Sequence, residues 1–125
     1  MQLNLSIMRY FFYLSSCDSC KRIMKNLDLD DSIERIDIKK NPLTEHQLEL
    51  LFQRTQSYEA LFNKRAQRYK QRGLKDQVLS DTDYGELLLD HYTFLKRPVL
   101  LYEKTIFIGN SPKVVEAAKT FLDEQ

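Results

Sequence analysis

The chain has 125 residues, a formal net charge of +1 and two cysteines. That length fits one domain, residues 1–125, with its own core. The near-zero charge leaves no whole-chain footprint for nucleic acid, and two cysteines are too few for a secreted disulfide scaffold.

Met1 to Ile7 carry no clear pattern and are expected to be an N-terminal extension, with Met8 as an alternative start. Arg9 to Leu14 predicts a buried strand. Its apolar run, Tyr10-Phe11-Phe12-Tyr13-Leu14, is too short to cross a bilayer. A helix is predicted from Cys17 or Asp18 to about Leu27, with Asp18 and Ser19 as capping candidates. After the acidic loop Asp28-Leu29-Asp30-Asp31, Ile33 to Ile38 predicts a second strand. Asn41-Pro42 marks its end. Thr44-Glu45-His46-Gln47 has capping-box spacing, and Leu48, Leu51 and Phe52 give the following helix one apolar stripe.

Tyr58 to Phe62 predicts a short helix. Asn63 to Arg72 predicts a basic helical stretch with Gly73 as its C-terminal cap. Ser80-Asp81-Thr82-Asp83 opens another helix. Val99 to Tyr102 and Thr105 to Ile108 predict a hairpin whose connection, Glu103-Lys104, lacks the favoured glycine. Ser111-Pro112 has the form of an N-cap followed by proline at the first helical position, and Val114, Val115, Ala118 and Phe121 give the last helix its inner face.

The order is thus β-α-β, then helices, then β-β-α. Two strands joined through a helix are expected to be parallel with a right-handed crossover, and the hairpin adds antiparallel strands. The expected fold is α/β: a thioredoxin-like four-stranded mixed sheet flanked by helices, with a helical insertion between the two halves.

Both cysteines fall in Cys17-Asp18-Ser19-Cys20, at the turn from strand to helix. Unpaired N–H groups and the helix dipole favour an anion there, and the thiolate is the reactive form of cysteine. The spacing suits thiol–disulfide chemistry, with Cys17 as nucleophile and Cys20, one helical turn on, as resolving thiol. The alternatives are an inert buried thiol at Cys17 and a small core residue at Cys20. Zinc needs about four ligands as a rule, and His46 and His91 lack ligand spacing, so no metal is expected. Lys21 adds positive charge beside the motif. The basic residues from Lys64 to Lys75 read as a solvated face, with no direct nucleic-acid contact. A paired CxxC without a signal peptide fits a reducing cytoplasm. No nucleotide fingerprint is present, so no bound cofactor is expected.

With Cys17-Asp18-Ser19-Cys20-Lys21-Arg22 and Leu95-Lys96-Arg97-Pro98-Val99 both in view, the chain resembles the arsenate reductase (ArsC)/Spx family from about Met8 to Phe121. Leu61-Phe62-Asn63-Lys64-Arg65 followed by Tyr69 resembles the family's mid-domain segment, and Gly109 matches its glycine after the last strand. The resemblance implies a thiol-dependent reductase, with a cis Pro98 beside the redox turn and Arg97 stabilising negative charge. It places Asn63, Arg65 and Lys21 in the binding region. The implied electron donor and partner is glutathione with glutaredoxin, or thioredoxin, and a monomer is expected.

The chain departs from the family pattern at Ser15, where relatives often carry proline. Glutaredoxin-coupled arsenate reductases resemble one another in surrounding the oxyanion with three arginines. Only Arg97 has a clear match here. Asn63 stands at the mid-domain position, and Leu100 to Asn110 contains no arginine, so arsenate turnover is expected to be weak or absent. The CxxC and Arg65 resemble Spx, whose alternative role would be redox-sensing regulation through the RNA polymerase α subunit. The segment Arg54-Thr55-Gln56-Ser57-Tyr58 lacks the glycine such regulators share.

Overall fold

The computed structural model describes residues 8–125, so the extension expected over residues 1–7 lies outside the described residues. The chain divides into two compact units, one of the residues up to Asn41 with Arg97–Gln125, the other of Pro42–Lys96.

The first unit is built on a four-stranded mixed sheet flanked by helices. Its elements are β1 (Arg9–Tyr13), α1 (Asp18–Leu27), β2 (Glu34–Asp37), β3 (Val99–Tyr102), β4 (Thr105–Ile108) and α5 (Pro112–Asp123). The strand order is β2-β1-β3-β4. β1 runs parallel to β2, Tyr13 opposite Asp37, and antiparallel to β3, Phe12 opposite Val99. β4 pairs antiparallel with β3. The alternation of a strand sends Phe11 and Phe12 to opposite faces, and both are fully buried. On the Phe11 face, Ile23 and Leu27 of α1 meet Leu100 and Tyr102 of β3 and Ala118 of α5 in one cluster. Burying each of the leucine, isoleucine and phenylalanine side chains here contributes about 1.5–3 kcal/mol.

The β3–β4 connection closes without glycine because Glu103 itself takes the left-handed conformation, φ 56°. Its carboxylate is held by Arg9, whose Nε donates to it at 2.8 Å and whose guanidinium lies 4.3 Å from the centre of the Tyr102 ring. The Ser111 hydroxyl accepts from the Val114 N–H, and Pro112 occupies the first turn of α5.

The second unit contains α2 (Glu45–Thr55), α3 (Gln67–Gln71) and α4 (Asp81–Asp90), with short 3-10 turns at Glu59–Leu61, Leu74–Asp76 and Tyr92–Phe94. The expected capping box of Thr44 with Gln47 forms, and a second, of Ser80 with Asp83, opens α4. The basic stretch from Asn63 is shorter as a helix than its sequence predicts. Asn63 Oδ1 accepts from the Arg65 N–H at 3.0 Å, and its own N–H donates to the Phe94 carbonyl at 2.7 Å. This Asx turn competes with helix formation, so α3 begins only at Gln67. Gly73 then ends the segment at φ 65°, as expected of a glycine past a helix end. Phe62 packs against the rings of Tyr69, Tyr84 and Phe94 at centroid distances of 4.9–5.7 Å. Among the described residues no helix is long and apolar enough to cross a membrane.

Candidate functional site

The chain leaves β1 through a tight turn in which the Cys17 N–H donates to the Leu14 carbonyl at 3.0 Å. Cys17 is extended, φ −97° and ψ 111°, and occupies the N-cap of α1 itself. The sequence offers Asp18 and Ser19 as caps, but they form the first turn of the helix, and no side chain closes a conventional capping bond there. The reason is positional: the Cys17 carbonyl already accepts the first helical bond, from the Lys21 N–H. The thiol of Cys17 therefore stands where a capping oxygen would, at the positive end of the helix dipole.

The two thiols have opposite surroundings. Cys17 is half-buried and Cys20 fully buried. Burial works against ionisation of Cys17, but the Ser19 hydroxyl, the Cys20 N–H and thiol, and the Arg97 guanidinium together outweigh it and lower the Cys17 pKa. Ser19 Oγ lies 3.2 Å from Cys17 Sγ. Burial pushes the Cys20 thiol up to about 11, and negative charge at Cys17 adds to this. One thiol is thus prepared to be an anion and the other to keep its proton.

Arg97 and Pro98 enter from the other half of the chain. The pairing of Phe12 with Val99 carries the residues preceding β3 alongside the exit of β1. The Arg97-Pro98 peptide is cis. Pro98 is buried and Arg97 half-buried, and the Pro98 carbonyl accepts from the Gly109 N–H at 2.9 Å. Gly109 has φ 95°, which side-chain-bearing residues rarely adopt. Lys21, also in this unit, points its Nζ to within 3.7 Å of the exposed Asp18 carboxylate, a surface pair of little energetic consequence. Asn63 and Arg65 belong to the second unit, where Asn63 makes the turn described above and Arg65 is exposed.

Asp37, at the end of β2, is a site residue that sequence reasoning misses. It is 6% exposed. Its Oδ1 accepts from the Ser15 N–H at 3.4 Å and the Lys39 N–H at 3.2 Å. Its Oδ2 is buried without a hydrogen-bond partner among the described residues. Burial raises its pKa, but the Ser15 hydroxyl and N–H, the Lys39 N–H and the Lys40 charge outweigh that and hold it below the ordinary carboxylate range. The only sequence signal is an acidic residue framed by Ile36 and Ile38. Among the described residues no group of His, Cys, Asp and Glu could hold a metal ion.

A family model described as the ArsC family matches residues 12–118. No curated protein matches the chain. Among solved structures, a possible arsenate reductase from Streptococcus mutans UA159 is 29% identical, with a TM-score of 0.61 over 80% of this chain and 87% of that one. An ArsC family related protein from Bacteroides fragilis is 21% identical, with a TM-score of 0.71 over 90% and 98%. An arsenate reductase from Vibrio cholerae is 17% identical, again with a TM-score of 0.71 over 90% and 98%. At these last two identities the likeness is one of fold.

Proposed function

Because the chain belongs to the ArsC family, we propose that it is a cytoplasmic thiol–disulfide oxidoreductase in which Cys17 is the nucleophile and Cys20 the resolving thiol. The observation that carries this reading is the divergence of the two thiols, one lowered and half-exposed, the other raised and buried.

The Cys17 thiolate attacks one sulfur of a substrate disulfide. A Cys17 mixed disulfide forms, and the other half leaves as a thiolate that takes a proton from water. Arg97 and the end of α1 stabilise the attacking anion. Cys20 then gives up its proton and attacks Cys17 Sγ. The second substrate thiolate departs, and a Cys17–Cys20 disulfide remains. Two electrons have passed from protein to substrate. An external thiol system, two glutathiones with glutaredoxin or the dithiol of thioredoxin, returns them by the same exchange. The raised Cys20 pKa keeps the resolving thiol protonated until the mixed disulfide forms and the charge at Cys17 is gone.

Arsenate is the weaker substrate on this reading. A tetrahedral oxyanion is best held by several bidentate arginines. The first unit offers Arg97, while Lys21 is turned to Asp18 and the β3–β4 hairpin has no arginine. Each missing charged donor costs about 1.5–3 kcal/mol, or roughly ten- to a hundredfold. The test compares arsenate with a glutathione mixed disulfide under both donor systems. Disulfide turnover that disappears in Cys17→Ser, with arsenate turnover at least about tenfold slower, supports the reading. Efficient arsenate turnover, lost in Cys17→Ser and Arg97→Ala, would make the protein an oxyanion reductase. No turnover of either substrate, with capture of the RNA polymerase α subunit, would make it a regulator.

A further inference from the structure

A buried carboxylate is expensive unless donors surround it, and Asp37 obtains its donors from the segment that carries the nucleophile. The Ser15 N–H reaches Oδ1 at 3.4 Å, the Ser15 hydroxyl contributes as well, and the Lys39 N–H closes the group from its own strand end at 3.2 Å. The Asp37 carbonyl accepts from the Lys40 and Asn41 N–H groups at 3.1 and 2.8 Å, and Tyr13 pairs with Asp37 across the sheet. The Tyr13 carbonyl accepts from the Ile38 N–H at 2.9 Å. Asp37 is thus fixed by its backbone on both sides, and its carboxylate is presented to a residue two positions before Cys17.

We propose that Asp37 is the positioning residue of the β1–α1 loop, its carboxylate fixing Ser15 so that Cys17 Sγ is held against Ser19, the first turn of α1 and Arg97. Moving Ser15 away would strip donors from a buried carboxylate, one oxygen of which, Oδ2, already has no hydrogen-bond partner among the described residues. The loop is therefore held by the solvation demand of Asp37. The Asp37 charge is not what favours the Cys17 thiolate; a nearby carboxylate opposes a second anion. Its effect on Cys17 is geometric, and this separates the proposal from an electrostatic one. The groups that face Cys17 are Ser19 and Cys20 from α1 and Arg97 from the segment before β3. Those that face Asp37 are Ser15 before Cys17, and Lys39 and Lys40 after β2.

The proposal rests on Cys17 being the reactive thiol, but its test does not depend on turnover. The rate of iodoacetamide alkylation at Cys17 is followed against pH by peptide mass spectrometry, in the full chain and in Asp37→Asn, Asp37→Ala and Ser15→Ala. Asp37→Asn keeps an acceptor oxygen for Ser15 and Lys39 and loses the charge. It is expected to titrate within about 0.2 pH units of the parent, or slightly below it. Asp37→Ala releases Ser15, so its midpoint is expected to rise by about half a unit or more, with alkylation at pH 6 about threefold slower. Ser15→Ala is expected to shift the same way by less. A role confined to folding would lower the unfolding temperature of Asp37→Ala and leave the Cys17 midpoint in place, which would overturn the proposal. So would equal shifts in Asp37→Ala and Asp37→Asn. If Asp37→Ala does not fold, Ser15→Ala decides: a raised midpoint supports the proposal, and an unmoved one overturns it. A parent protein that alkylates normally but turns over no disulfide would undo the proposed function and leave this inference standing.

Discussion

The hydroxyl of Ser19 lies 3.2 Å from the thiol of Cys17, inside the motif that the two cysteines define. A thiolate there accepts a hydrogen bond from the Ser19 hydroxyl, whereas a protonated thiol gains little from it. The contact thus acts on one ionisation state, which is what shifts a pKa. At Cys20 the Leu14 backbone and the Arg97 charge also favour the thiolate, but full burial outweighs them.

Removing that donor tests the origin of the reactivity. In Ser19→Ala the Cys17 thiolate loses a hydrogen bond, its pKa rises and the thiolate fraction at neutral pH falls. Alkylation of Cys17 at pH 6 is expected to slow by roughly two- to tenfold, the size of one net hydrogen bond, with the difference shrinking as rising pH ionises Cys17 in both proteins. A pH profile identical to that of the parent would assign the lowered pKa to Cys20, Arg97 and the helix end without Ser19.

The redox turn was legible in the sequence because its signals are local. An apolar strand, a CxxC and a helical pattern lie within a few residues of one another, and the cis Pro98 followed from the Arg97-Pro98 step and the family resemblance. The helix cap was misread because Asp18 and Ser19 are both good capping residues, while cysteine is not counted as one; the backbone places Cys17 there all the same. Asp37 was invisible for a different reason. Its role depends on β2 returning parallel to β1 and ending beside Ser15, a relation made by the crossover and absent from any local pattern. Asn63 shows the same limit. Its Asx turn and its bond to the Phe94 carbonyl override the helical propensity of the residues that follow.

Mild oxidation of the reduced monomer is expected to give an intramolecular Cys17–Cys20 disulfide. The CxxC spacing lets the two thiols join with little backbone movement. After dilute peroxide, mass spectrometry is expected to show the loss of two hydrogens in the monomer, reversed by dithiothreitol. Cys20→Ser is expected to yield a sulfenic acid or a glutathione adduct at Cys17 instead. Such adducts in the parent protein would remove Cys20 from the mechanism.

Gly85 offers a test of packing in the second unit. It lies within α4, where alanine usually stabilises by about 1 kcal/mol relative to glycine. Here a Cβ would come within 3.0 Å of the Tyr58 ring, and that ring is stacked on Phe52 at a centroid distance of 4.3 Å. Overpacking of this kind costs about 1–3 kcal/mol, so Gly85→Ala is expected to lower the urea midpoint in spite of its better helix propensity. The penalty is expected to shrink in a Tyr58→Leu background. A higher midpoint for Gly85→Ala alone would show that the ring yields freely.

Alkaline stability reports on the Cys20 proton. In the folded chain Cys20 titrates at about 11, raised from an ordinary value of 9.0 chiefly by burial. Between those values the unfolded chain releases this proton and the folded chain keeps it. Stability rises with pH only where the unfolded state binds more protons, so here it falls. The contribution of Cys20 is fully present below about pH 9 and is lost progressively as the pH rises to about 11. The loss is at most about 3 kcal/mol across the window. Tyrosines and lysines titrate over part of the same range, so the parent curve alone does not isolate the effect. The difference between the parent and Cys20→Ala does, because the alanine variant has no thiol to titrate there and its loss of buried volume does not depend on pH. Cys20→Ala is expected to be less stable near pH 7, where it loses buried volume, and to close the gap as the pH approaches 11. Urea unfolding at several pH values under reducing conditions reads both curves. A gap that stays constant from pH 8 to pH 11 would mean that Cys20 ionises in the folded protein as readily as in the unfolded chain. Its role as a thiol that holds its proton until the mixed disulfide forms would then fail.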